Sequence, residues 1–124
     1  MKKIIRFIPA LLWMGFIFYL SSQQTTGIGG DSYWQRFFIL KTFHLIEYSV
    51  LFILINFAIN SKFYSIIASY LYAMSDEFHQ SFIPGRTAKF IDTFIDLLGI
   101  FIGLLILKFI ILPFIKKLKL SKGK

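Results

Sequence analysis

Cysteine is absent from this chain, which excludes a disulfide framework and a thiolate metal site and leaves the redox compartment open. Charge is scarce too. Only 16% of the 124 residues are charged and just six are acidic, too few for the solvated surface of an ordinary soluble domain. Ser21 and Ser22 lie in no G-x-S-x-G frame, so they read as helix-ending residues and not as an acyl-transfer nucleophile. No H-E-x-x-H occurs either, and neither a metal nor a cofactor is expected. The first apolar run is followed by LSSQQ, which offers no A-x-A-like cleavage site, so it reads as a retained helix and not as a signal peptide. No repeat or low-complexity domain stands out.

What is present is apolar. Hydrophobic residues make up 56% of the chain, aromatic residues 19%, and the mean hydropathy is +0.69. A helix needs about 20 mostly apolar residues to cross the hydrocarbon. Four segments qualify: residues 4–20, 43–59, 63–82 and 90–112. Pro84-Gly85 is expected to break the third, Thr87 to cap the fourth, and Pro113 to stop it before the basic tail 113–124. The fold class is therefore an all-α, four-transmembrane-helix bundle in one domain, a multi-pass protein of the cell membrane.

The net charge of +8 raises the question of nucleic acid, but its placement answers it. Lys2, Lys3 and Arg6 lie at one end, and Lys116, Lys117, Lys119, Lys122 and Lys124 at the other. Between them the basic and acidic residues balance. The excess sits in two tails that flank apolar segments, as the positive-inside rule produces, so no nucleic acid is expected and both termini are expected in the cytoplasm. The tail lysines read as topological. Four crossings then turn residues 21–42 and 83–89 outward, with Tyr33 and Trp34 as interfacial anchors, and leave the NSK turn inside.

Polar residues gather toward that outer end. Lys41, His44 and Tyr48 are spaced to share one helical face, and Glu47 flanks it. Ser65, Ser69, Tyr72, Asp76 and Gln80 form a stripe along the third helix, with Glu77 and His79 beside it. On the fourth helix Asp92, Asp96, Gly99 and Gly103 share a face, and the two glycines mark a close helix contact. A carboxylate as deep as Asp96 lies within the apolar zone, so it must face the bundle interior and find partners, Lys41 and Arg86 by position, with His44 and Tyr48 as donors. The expected result is an outward-facing polar pocket. Two readings of it stay open: an ionic network that fixes helix packing, or a site that meets a ligand.

The same residues resemble the VanZ-like family of small bacterial membrane proteins. The likeness rests on WMGFIFYLSSQ at 13–23, KTFHLIEY at 41–48, DEFHQSFIPGR at 76–86 and DTFIDLLGIFIG at 92–103, the third being the specific one. It implies a four-helix integral membrane protein and a link to resistance against teicoplanin, a glycopeptide with a fatty tail. By motif match, the family's polar positions fall on Ser22, Gln23, Lys41, His44, Tyr48, Asp76, Glu77, Gln80, Arg86, Asp92 and Asp96. The functional expectation is a pocket that binds the anionic headgroup of a lipid-linked envelope component or a lipidated glycopeptide, with membrane lipids as surroundings. The alternative is an intramembrane enzyme acting on a phosphate-containing lipid headgroup, with Asp76 or His44 as base and Arg86 stabilising negative charge. The oligomeric state is left open.

Overall fold

The computed structural model describes residues 2–22, 33–83 and 92–123. These are all helical: a short α1 (Lys2–Ile5), α2 (Ile8–Ser21), α3 (Tyr33–Ile59), α4 (Lys62–Gln80), α5 (Asp92–Ile106), a π-helical turn (Leu107–Ile111) and α6 (Leu112–Lys122). Pro9 opens α2, where its missing N–H would have been unsatisfied in any case. Between α3 and α4 the chain reverses over two residues. Asn60 takes a left-handed conformation at φ 60°, which asparagine tolerates better than most side chains. Ser61 then caps α4 by accepting from the Tyr64 N–H.

The helices alternate in direction. Arg6 lies over the Phe57 ring and the Trp13 Nε1–H donates to the Glu47 carbonyl at 2.9 Å, so α2 runs antiparallel to α3. Contacts of Met14 with Tyr72 and Ser21 with Gln80 set α2 parallel to α4. Gly99 meets Leu45 and Gly103 meets Ser49, which makes α3 and α5 a parallel pair. A β-carbon added at either glycine would stand 2.7 Å from a backbone carbonyl oxygen of α3. Only glycine lets the two backbones come this close.

The burial pattern is that of a protein turned toward lipid. Ten buried residues are apolar and ten are polar or charged, while thirty-three large hydrophobic side chains are exposed among the described residues. The contrast is sharpest on α4, which buries Ser65, Ser69, Ala73, Asp76, Glu77 and Gln80 and exposes Phe63, Tyr64, Ile67, Leu71, Met74 and Phe78. An apolar exterior around a polar interior suits hydrocarbon surroundings. Three helical stretches are long and apolar enough to cross a membrane: Lys3–Ser21, Phe38–Ile59 and Thr93–Lys122. Helix α4 is not among them, because its polar residues lower its mean hydropathy even though they point inward.

Three expected boundaries shift. Helix α3 begins at Tyr33, ten residues before the expected start at Phe43, because Lys41 and Thr42 interrupt the apolar run without interrupting the helix, whose stretch Phe38–Ile59 is apolar enough to cross a membrane. Helix α4 stops at Gln80, with Ser81 closing it, before Pro84-Gly85, which together with Thr87 lies outside the described residues. Pro113 does not stop the last helix, and the tail 113–122 is helical. The π turn just before it is the reason: the Leu112 N–H reaches back to the Leu107 carbonyl, and this wider turn carries the helix through a residue that would otherwise clash with the preceding turn.

Replacing Gly99 or Gly103 by alanine should destabilise the bundle by about 1–3 kcal/mol, the usual range for overpacking. Gly15→Ala, where nothing lies within 4 Å, should be neutral or gain about 1 kcal/mol from helix propensity. Thermal unfolding in detergent compares the three.

Candidate functional site

The polar side chains collect at the end of the bundle where α2 and α4 finish and α3 and α5 begin. Helix α4 supplies the centre. Asp76 is 4% exposed, and its Oδ2 accepts from the Tyr48 hydroxyl at 3.0 Å and from Gln80 Nε2 at 3.1 Å. Gln80 Nε2 also reaches Ser21 Oγ at 3.2 Å. A chain of four side chains thus links α3, α4 and α2. The spacing of Asp76 and Gln80, one helical turn apart, puts both on the face that meets Tyr48. Asp76 Oδ1 is buried and has no hydrogen-bond partner among the described residues.

A second pair joins the parallel helices. His44 Nδ1 lies 3.1 Å from Asp96 Oδ1, with Asp96 only 1% exposed. Below it, Ser49 Oγ bonds the carbonyls of Leu45 and Gly99, each at 2.7 Å. Tyr70 and Thr93 meet hydroxyl to hydroxyl at 3.2 Å between α4 and α5. Toward α2, His79 stacks on Phe18 with ring centroids 4.3 Å apart, and its Nε2 lies 3.0 Å from Ser22 Oγ. Ser22 Oγ also donates to the Phe18 carbonyl at 2.8 Å, and its contact with His79 ties α2 to α4.

Among the expected site residues, the structure brings together Tyr48, Asp76 and Gln80 in one network and His44 with Asp96 in another. Glu77 is buried beside Asp76 on α4, although its spacing put it off the stripe. Lys41 is partly buried one turn before His44, and Ser22 caps α2. Asp96 is paired with His44, one of the two donors expected for it beside Lys41 and Arg86. Asp92 opens α5, but its side chain, with Gln23 and Arg86, lies outside what is described. Gly99 and Gly103 sit against α3 and away from the carboxylates. Glu47, expected to flank the His44 face, and Ser21, expected only to end its helix, are both buried in the polar set. Ser49 and Thr93 join it without having been singled out, and as hydroxyl residues on apolar helices they carried no signal. Among the described residues, no three His, Asp or Glu side chains are placed to hold a metal ion.

A family model described as VanZ/LLP1 matches residues 6–112. No curated protein and no solved structure gives a match.

The Tyr48–Asp76 bond is open to a double-mutant cycle. Tyr48→Phe and Asp76→Asn should each lower stability, and together they should reveal a coupling of about 0.5–2 kcal/mol, the range for interhelical hydrogen bonds in membranes. Additive losses in detergent unfolding would mean that the bond contributes nothing.

Proposed function

This chain belongs to the VanZ/LLP1 family, and from that premise we propose that it is a multi-pass cell-membrane protein that binds the anionic headgroup of a lipid-linked envelope component or of a lipidated glycopeptide such as teicoplanin. The carrying observation is the convergence of ionisable side chains, the buried Tyr48, Asp76, Glu77 and Asp96 with the partly buried His44, at one end of a bundle whose exterior is apolar. An amphiphile matches such a place: its tail stays among the lipids while its polar head meets the bundle. Lys41 on α3 and Arg86, which follows α4 in sequence, supply the cations, and a guanidinium holds a phosphate or carboxylate through two parallel bonds. The acids and the amide of Gln80 take the remaining polar groups of the head.

The enzyme reading would draw its base from the atoms these contacts leave over, Asp76 Oδ1 or His44 Nε2, since Asp76 Oδ2 is held by Tyr48 and Gln80 and His44 Nδ1 rests on Asp96. Helices α1 and α6 lie at the end opposite the polar cluster, and the lysine excess there supports reading that end as the cytoplasmic one.

Native mass spectrometry of the protein in gentle detergent tests the proposal. Arg86→Ala should lower retention of an anionic lipid-linked ligand by about tenfold or more, as expected for loss of a charge-assisted contact; equal retention would refute it. Asp76→Asn separates the two chemistries, since an enzyme would lose product formation while keeping its ligand. In cells, deleting the gene should raise susceptibility to teicoplanin more than to a glycopeptide without a lipid tail, and the Arg86→Ala variant should fail to restore resistance. A reporter active only in the cytoplasm should work when fused after Lys124.

A further inference from the structure

The end of the molecule opposite the polar cluster is chemically its reverse. Lys3, Arg6, Lys62, Lys108, Lys116, Lys117, Lys119 and Lys122 are at this end, and none of the acidic residues in the described helices lies there. Helix α6 contributes half of these charges, and it is exposed along its whole length, with no buried residue. Among the described residues its main contact is with the π turn from which it continues.

Its depth can be worked out. Asp92 begins the helix at the opposite end, and Leu112 lies twenty residues further along it. At 1.5 Å per residue that is about 30 Å, the thickness of the hydrocarbon layer. Leu112 therefore falls at the boundary between acyl chains and headgroups, and the lysines beyond it fall among the headgroups. The side chains there alternate in kind. Leu112, Ile115, Lys116, Lys119 and Leu120 line one surface groove of about 370 Å³, and their spacing places them on a single helical face. Phe114 and Leu118 are also exposed on the remaining faces, beside Lys117 and Lys122. A helix that is apolar and cationic on every side has no single face to offer a protein core, but it matches the boundary layer of a bilayer, where tails and phosphates meet.

We propose that this groove is a binding site for an anionic phospholipid, with an acyl chain against Leu112 and Ile115 and the headgroup phosphate between Lys116 and Lys119. The assignment follows from charge complementarity and from the coincidence of groove and boundary, and it is independent of what the polar cluster at the other end binds. It gives the basic segment a role beyond setting orientation. The π turn and Pro113 just above the groove are where the helix departs from regular α geometry, so α6 is not bound to follow the direction that the packing of α5 against α3 imposes on the membrane helix.

The full-length chain, reconstituted in nanodiscs of phosphatidylcholine and phosphatidylglycerol in equal parts and released for native mass spectrometry, provides the test. Wild type should retain phosphatidylglycerol in preference to phosphatidylcholine. Lys116→Gln with Lys119→Gln should weaken that preference by about fivefold for each lysine neutralised, Lys116→Arg with Lys119→Arg should preserve it, and Lys62→Gln should leave it unchanged. Because α6 is exposed, helical content by circular dichroism should not change in any variant. The site is refuted if the double glutamine variant retains phosphatidylglycerol as wild type does, if the arginine variant loses it equally, or if Lys62→Gln has the same effect. It is also refuted if wild type shows no preference between the two lipids, or if α6 is covered by a second copy of the chain that the double glutamine variant releases.

Discussion

Hydrocarbon offers a polar side chain no water, so a hydroxyl, amide or carboxylate that the helices carry into the membrane is costly unless another part of the protein meets it. Helix α4 is the element most governed by this constraint. It holds more polar groups than a lone spanning helix tolerates, and it is accommodated because α2, α3 and α5 each turn a partner toward it. Tyr48 reaches Asp76 from α3, Ser21 meets Gln80 from α2, and Thr93 meets Tyr70 from α5. The bundle packs around a polar axis, and the phenylalanines and leucines that would form the core of a soluble protein face outward.

The polar axis is positioned by a contact that is itself apolar. Gly99 and Gly103 let α5 lie directly on the backbone of α3, and this fixes the register of the parallel pair. With Leu45 set against Gly99, Asp96, three residues before Gly99, comes within reach of His44, the residue before Leu45. Close approach also allows Ser49 to reach a carbonyl of the neighbouring helix as well as one of its own. Small residues lower on the helix thus determine which charged residues meet higher up. The two ends of the molecule consequently differ in character: one gathers buried acids with their donors, the other presents exposed lysines among apolar side chains.

Much of this was legible in the sequence because a lipid environment simplifies the reading. Apolar runs of the right length announce the helices, and i, i+3, i+4 spacing picks out Asp76, Gln80 and Tyr48 as residues that share inward faces. The boundaries were less legible. Hydropathy could not show that α3 starts at Tyr33, since Lys41, Thr42 and the polar residues near Tyr33 lower the hydropathy of a stretch whose backbone hydrogen bonds continue unbroken. Pro113 looked like a stop because the rule for proline assumes a regular α-helical turn before it, and here a π turn intervenes. Within the site, Ser49 and Thr93 were invisible for another reason. A hydroxyl residue is common on any helix, and only the neighbouring helix decides whether it has something to bond.

The division between sequence and structure follows the range of the forces involved. Composition, the spacing of polar residues along each helix and the placement of lysines at the ends together determine an all-α membrane protein with one polar and one basic end. Each depends only on a residue's neighbours within a turn or two and on the solvent around it. Which carboxylate meets which donor was decided by tertiary structure. His44 and Asp96 are 52 positions apart in the chain, and their meeting depends on the rotation and register of two whole helices, set by the backbone contact at Gly99 and Gly103.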